Sequence, residues 1–239
     1  MDDIIVAAAP AAEPQVLPEA TSSEFEAPSF TLSDQLVVAT RPTSVEAESF
    51  RALRSNLLAQ HVRQGRRSLA ISAASAGAGC SFVAANLAMA MAQAGVNTLL
   101  IDGNMRDPSL EDYIRPAVWR PGLSECLKDD SLALAAAITP VQPSLSVLFA
   151  GEVDDQAFDR LGAPVFRSLI GQCLRDFDLT IIDTPPSNLY ADARRIASIM
   201  RYSLVVTCRG RSYLKDVRVL VDELVSDDAH VIGTYLNDY

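Results

Sequence analysis

Residues 72–81 read Ser-Ala-Ala-Ser-Ala-Gly-Ala-Gly-Cys-Ser, and two aspartates, Asp102 and Asp183, each close a short apolar run further along the chain. Backbone N–H groups freed by glycine at the start of a helix cradle phosphates. In such a loop a lysine reaches the β and γ phosphates, and the next hydroxyl holds Mg²⁺. Gly77, Gly79 and Ser81 supply the backbone and the hydroxyl, and the candidate nucleotide contacts run through Ala76, Gly77, Ala78, Gly79, Cys80, Ser81 and Phe82. Cys80 stands where the lysine of G-x-x-x-x-G-K-[ST] is expected, and Ala74 where its first glycine is expected. Ligands of open α/β sheets sit beyond the carboxyl ends of strands. An aspartate there can hold Mg²⁺, directly or through water, or accept a proton from an incoming hydroxyl. Ser81, Asp102 and Asp183 are thus the candidate metal ligands, and Asp102 and Asp183 the candidate catalytic groups.

The charge lost at position 80 bears most on catalysis. A neutral thiol neither offsets phosphate charge nor donates a strong hydrogen bond, and removing one preorganised charge-stabilising donor costs roughly 100- to 1,000-fold in rate, about 3 to 4 kcal/mol. Binding survives in this reading through the loop backbone and Mg²⁺, and Arg106 or an arginine from a neighbouring subunit could replace the cation. A thiol at a helix N-terminus is expected to have a depressed pKa and to be reactive; the plainer alternative is a small residue tolerated in a degenerate loop. Asp102 could instead cap a turn, Asp183 could orient the turn before Pro185-Pro186, and Ser81 could simply cap the helix that follows.

The elements that must position these residues are legible as alternating patterns. Apolar runs at 69–73, 98–101, 145–149, 179–182, 204–207 and 231–236 read as buried strands separated by helices. That pattern indicates an α/β fold with a mostly parallel sheet covered on both faces. A helix is expected from Ser81 to Ala94, stopped by Gly95. Another is expected from Ser44 to about Val62, started by a capping box of Thr43 with Glu46 and burying Phe50, Leu53 and Leu57. Residues 1–35, rich in Ala, Pro, Glu and Ser, are expected to be a flexible tail, and 36–239 a single domain.

The chain has 239 residues and a net charge of −10, which argues against a nucleic-acid surface. Cys80, Cys126, Cys173 and Cys208 are widely spaced and only His61 and His230 accompany them, so they read as free thiols in a reducing compartment. The acidic start is unlike a signal peptide. Val83–Ile101, the most apolar stretch, is interrupted by Asn86, Gln93 and Asn97, so no direct membrane insertion is expected.

The residues together resemble the bacterial tyrosine kinases of capsule and exopolysaccharide export, members of the wider partition-type, MinD-like P-loop ATPases. Glu48, Arg51 and Arg54 match that family's E-x-x-R-x-x-R helix, Ser72–Ala88 its Walker A loop, Leu99–Pro108 its second Walker motif and Thr180–Pro186 its Walker B. The resemblance implies a cytoplasmic module that binds ATP and Mg²⁺, assembles into homo-oligomeric rings through the region 36–63, and phosphorylates tyrosines near the C-terminus of its neighbours. Its partner would be a membrane-anchored polysaccharide co-polymerase, which would place it peripherally at the inner membrane. It also implies that Asn237 contacts the base.

The chain departs from the family pattern at three places: Cys80, Asn104 in the second acidic position of D-x-D, and a C-terminus in which Tyr239 is the one candidate phosphoacceptor while Tyr235 is expected to pack. Two charges missing from one site make a non-catalytic assembly module the second reading. A partition-type ATPase is the third, disfavoured by Ser75 in place of a signature lysine.

Overall fold

The fold was analysed in a computed structural model that describes residues 30–154 and 156–238. The apolar runs become strands of one sheet. In chain order the strands are β1 (Phe30–Leu32), β2 (Ser68–Ala73), β3 (Thr98–Asp102), β4 (Ile114–Pro116), β5 (Thr139–Gln142), β6 (Leu145–Leu148), β7 (Leu179–Asp183), β8 (Tyr202–Cys208) and β9 (His230–Asn237). The helices are α1 (Val37–Thr40), α2 (Val45–Gln60), α3 (Cys80–Gln93), α4 (Leu123–Lys128), α5 (Leu134–Ala137), α6 (Ala157–Arg160), α7 (Pro164–Asp176), α8 (Asp192–Met200) and α9 (Leu214–Ser226).

The sheet order is β5-β6-β3-β7-β2-β8-β9, parallel throughout except for β5, which runs antiparallel to β6 at one edge. Alternation along the strands shows why both faces are covered. In β2, Leu69, Ile71 and Ala73 join one core while Ala70 joins the other; in β7, Leu179 and Ile181 face one way and Ile182 the other. Helices α2 and α3 supply Phe50, Leu57, Leu87 and Met91 to the first core. Helices α7, α8 and α9 supply Phe166, Ile170, Ile196 and Leu220 to the second.

Helix α3 fits its place because Val83–Ala92 are buried without a polar face, as expected of a helix enclosed on all sides, and its many alanines allow close approach. It ends where expected, with Gly95 at φ 80° just beyond the C-cap Ala94. Helix α2 begins one residue later than the expected box requires: Ser44, not Thr43, is the N-cap, its Oγ accepting the Ala47 N–H at 3.1 Å. With Ala47 at the third helical position, the Ser44 N–H has no Glu side chain to accept the reciprocal bond of a capping box. Phe50, fully buried, meets Phe82 edge-on at 5.5 Å and stacks on Tyr235 at 5.6 Å, whose hydroxyl bonds Ser49 at 2.9 Å. Tyr235 is therefore packed, as expected.

The expected tail extends too far. Residues 1–29 lie outside the described residues, as does Tyr239, but Phe30–Leu32 pair antiparallel with Ile114–Pro116. Backbone pairing and the packing of Phe30 on the core compensate for a composition that lacks apolar periodicity. Among the described residues no helix is long and apolar enough to cross a membrane.

Candidate functional site

Strand β2 ends in the glycine loop, and α3 rises from it. Gly77 and Gly79 take left-handed conformations, φ 75° and 91°, which side-chain-bearing residues avoid. Gly79 is required on a second count: a Cβ there would lie 2.2 Å from Asn237 Nδ2, which donates to the Ala78 carbonyl at 3.0 Å. The last strand thus pins the loop from the side. Asn237 is buried, and its Oδ1 lacks a hydrogen-bond partner among the described residues.

Beneath the loop, Asp102 and Asp183 are register neighbours at the ends of β3 and β7, and both are buried. Asp183 Oδ2 accepts the Ser81 hydroxyl at 2.5 Å, and Ser81 Oγ in turn accepts from Ser109 Oγ at 2.7 Å. Asp183 Oδ1 is buried with no partner among the described residues. Burial and the neighbouring Asp102 charge push the Asp183 carboxyl well above the usual range, against the opposing Ser81 bond.

Asp102 differs from its neighbour in having both carboxylate oxygens engaged. Oδ1 accepts the Asn104 N–H, and Oδ2 accepts the N–H groups of Ser109 and Leu110, all at 3.1 Å. Burial raises its pKa to about 6 although these three bonds pull the other way. Its carboxylate therefore holds the 104–110 loop in place.

An orphaned carboxylate oxygen next to two hydroxyls is a set of hard oxygen donors of the kind Mg²⁺ takes. An orphaned amide oxygen at Asn237 suits an amino donor such as that of adenine. The residues present therefore fit a Mg²⁺–nucleotide on the metal and base sides. The phosphate side is less complete. A cavity of 270 Å³ is lined by the loop from Ser75 to Ser81 with Asn104, Asp107, Ser109, Tyr113 and Tyr190, and the lining contains no lysine or arginine.

The remaining expected residues are placed as follows. Cys80 opens α3 and lines the cavity, but burial and the Asp183 charge raise its thiol pKa well above normal. This corrects the expected depression, because burial, with the nearby Asp183 carboxylate adding to it, outweighs the helix terminus. Ala76, Gly77, Ala78, Gly79 and Ser81 line the cavity, whereas Phe82 packs against Phe50 and the first core. Arg106 Nε bonds Asp192 at 2.9 Å and its guanidinium lies over the Tyr190 ring at 4.6 Å, so it is engaged at the cavity wall. Asn104 closes a turn on Asp107 through both its amide groups, at 2.7 and 3.2 Å. On α2, Arg51 pairs with Glu48 at 3.0 Å and with the Pro42 carbonyl, while Arg54 reaches the Ala90 carbonyl of α3 at 3.4 Å.

Sequence reasoning missed Ser109, Tyr113, Asp107 and Arg211. Ser109 and Asp107 flank Pro108 at the end of the second aspartate motif, which was the available signal. Burial and the charges of Asp183 and Asp112 push the Tyr113 hydroxyl to about 12. Arg211 had no signal, since it meets Gly77 from 134 residues away.

No protein-family model matches the chain. It is 30% identical to the tyrosine-protein kinase CpsD of Streptococcus agalactiae, over 80% of this chain and 82% of that one. It is 32% identical to the succinoglycan biosynthesis transport protein ExoP of Rhizobium meliloti, over 84% of this chain but 26% of that one. The kinase domain of the Escherichia coli tyrosine kinase ETK superposes with a TM-score of 0.78 at 26% identity, covering 85% of this chain and 79% of that one. The septum site-determining protein MinD of Pyrococcus horikoshii, solved with Mg-ADP, shares the fold at a TM-score of 0.62 and 23% identity, covering 72% of this chain and 70% of that one. The chain belongs to the bacterial tyrosine-protein kinase family, on the MinD-like P-loop fold.

Proposed function

We propose that this protein binds Mg²⁺-ATP and acts with a membrane-anchored co-polymerase to regulate exopolysaccharide polymerisation and export, as a kinase-like module whose phosphate grip is weakened. The observation that carries the reading is the Ser81–Asp183 pair, with its orphaned Oδ1, directly below a glycine loop that begins a helix. In this assignment Ser81 and Asp183 hold Mg²⁺, the loop N–H groups hold the phosphates, and Asn237 meets the base. Bound Mg²⁺-ATP supplies a transferable γ-phosphoryl group. Asp102, with its pKa near 6, suits proton acceptance close to neutral pH. Its Oδ1 accepts one N–H and keeps a second lone pair for that proton. The relatives' names support the pathway, since CpsD is a tyrosine-protein kinase and ExoP a succinoglycan transport protein. Cytoplasmic placement and homo-oligomeric rings through Glu48, Arg51 and Arg54 belong to the same proposal.

The lining without lysine or arginine favours a second reading, a ring-forming module in which nucleotide occupancy is the signal and phosphoryl transfer is absent. Mg²⁺-ATP titration of the full chain, followed by mass spectrometry for phosphotyrosine, separates the two. Phosphotyrosine that requires Mg²⁺ and disappears in Asp102→Ala supports the kinase; tight binding with no phosphotyrosine supports the assembly module. Absence of binding under all conditions removes both.

A further inference from the structure

We propose that Arg211, on the turn between β8 and α9, is the cation of this nucleotide site, taking over the charge that Cys80 does not provide. The inference rests on the nucleotide-binding reading above. Four observations carry it.

Arg211 Nη1 lies over the glycine loop, donating to the Gly77 carbonyl at 3.5 Å, and a Cβ on Gly77 would come within 2.9 Å of the same nitrogen. The turn that carries it is held on both sides. Cys208 N–H bonds Ser212 Oγ at 2.9 Å, the N–H groups of Arg211 and Ser212 both bond the Cys208 carbonyl at 3.2 and 2.9 Å, and Arg209 N–H bonds the carbonyl of Asn237 at 3.1 Å. One backbone unit thereby ties the turn to Asn237, which itself pins the loop.

Among the described residues Arg211 forms no ion pair, whereas its neighbour Arg209 pairs with Asp238 at 3.1 Å. Arg106, the other arginine near the site, is engaged with Asp192 and Tyr190. An unneutralised guanidinium resting on a backbone carbonyl has a weak acceptor. A phosphate oxygen forms a charge-assisted bond about twice as strong and accepts the planar fork bidentately. Exchange of the carbonyl for a nucleoside di- or triphosphate is therefore favourable, and it comes from outside the loop, where a lysine at position 80 would come from within.

The test is a double-mutant cycle on the full chain, with Mg²⁺-ADP affinity as the readout: wild type, Arg211→Met, Cys80→Lys and the double variant. Arg211→Met is expected to weaken binding about 10-fold or more, the range of a hydrogen bond to a charged group. In the Cys80→Lys background the same change is expected to cost less than about 3-fold, because the charge is then redundant. Arg211→Lys should fall between wild type and Arg211→Met, and the nucleotide-free melting temperature should stay unchanged in all three. Equal affinities of wild type and Arg211→Met overturn the inference. So does an equal loss in both backgrounds, which would make Arg211 a shaper of the loop. If wild type binds nothing while Cys80→Lys binds, the inference fails and the nucleotide reading stands. If neither binds, both fail.

Discussion

The metal side and the phosphate side of one cavity are built to different standards. On the metal side, Asp183 and Ser81 sit at the ends of elements whose burial fixes them, and a carboxylate oxygen is left without a partner although it is fully covered. On the phosphate side the loop keeps its glycine conformations, but the side chains facing the cavity carry no positive charge. Leaving a buried carboxylate oxygen bare costs stability unless a ligand repays it. In the proposed reading the site retains a costly feature for an ion, while the side chains of the cavity wall offer no cation to the anion and leave that charge to Arg211 from outside the loop. The loop's shape and its charge are therefore separable: shape comes from Gly77, Gly79 and the clamp by Asn237, charge from one side chain.

The comparison is broken most severely at Asp183. Asp183→Asn is expected to lower Mg²⁺-dependent nucleotide affinity at least about 100-fold, because the ion loses its anionic ligand. The same change should raise the melting temperature without ligand, since it removes one of two adjacent buried carboxylates. Calorimetric titration and thermal unfolding check both, and a loss of stability without ligand would show that the carboxylate is structural. Next in size, Cys80→Lys should tighten Mg²⁺-ATP binding about 10- to 100-fold by restoring a charge-assisted contact, read by fluorescent-nucleotide displacement. Ser81→Ala comes third. It should weaken the Mg²⁺ requirement for binding about 10-fold while leaving Mg²⁺-free binding nearly unchanged.

The smallest effect is on stability against pH. Asp102 has a carboxyl at about 6 in the fold against 3.8 ordinarily, and Asp183 is shifted in the same direction. Between those values the folded chain binds more protons than the unfolded one, so the Asp102 contribution to stability is full below about pH 4 and is lost as pH rises through about 6, and that of Asp183 is lost in the same direction. Without Mg²⁺ the melting temperature of wild type should therefore fall between pH 5 and 7 by a few degrees more than that of Asp102→Asn, measured by calorimetry.

Much of this was open to reading in the chain itself. Continuous apolar runs ending in aspartate placed β3 and β7 and their acidic tips, because a strand buried on both faces is apolar along its length. Glycines at 77 and 79 marked the loop, and Gly95 the end of α3. What escaped were contacts formed by distant segments. Asn237 was singled out through resemblance, as a base contact, but its clamp on the loop at Ala78 and Gly79 was not reached, nor was Arg211 on Gly77. The Cys80 thiol was expected to be acidified by a helix terminus, a local effect, and is instead held neutral by burial and by Asp183 from another strand. Edge strands β1 and β5 lacked a signal because short half-exposed pairs, one carrying Pro140, show neither alternation nor an apolar run.

In the proposed reading the metal side of this cavity works and its phosphate side is weakened. That reading is tested most directly by titrating ATP into the wild-type chain with and without Mg²⁺, beside Cys80→Lys. The account predicts binding that requires Mg²⁺ in both proteins and is tighter in Cys80→Lys. Equal affinity with and without Mg²⁺, or no gain in Cys80→Lys, would contradict it.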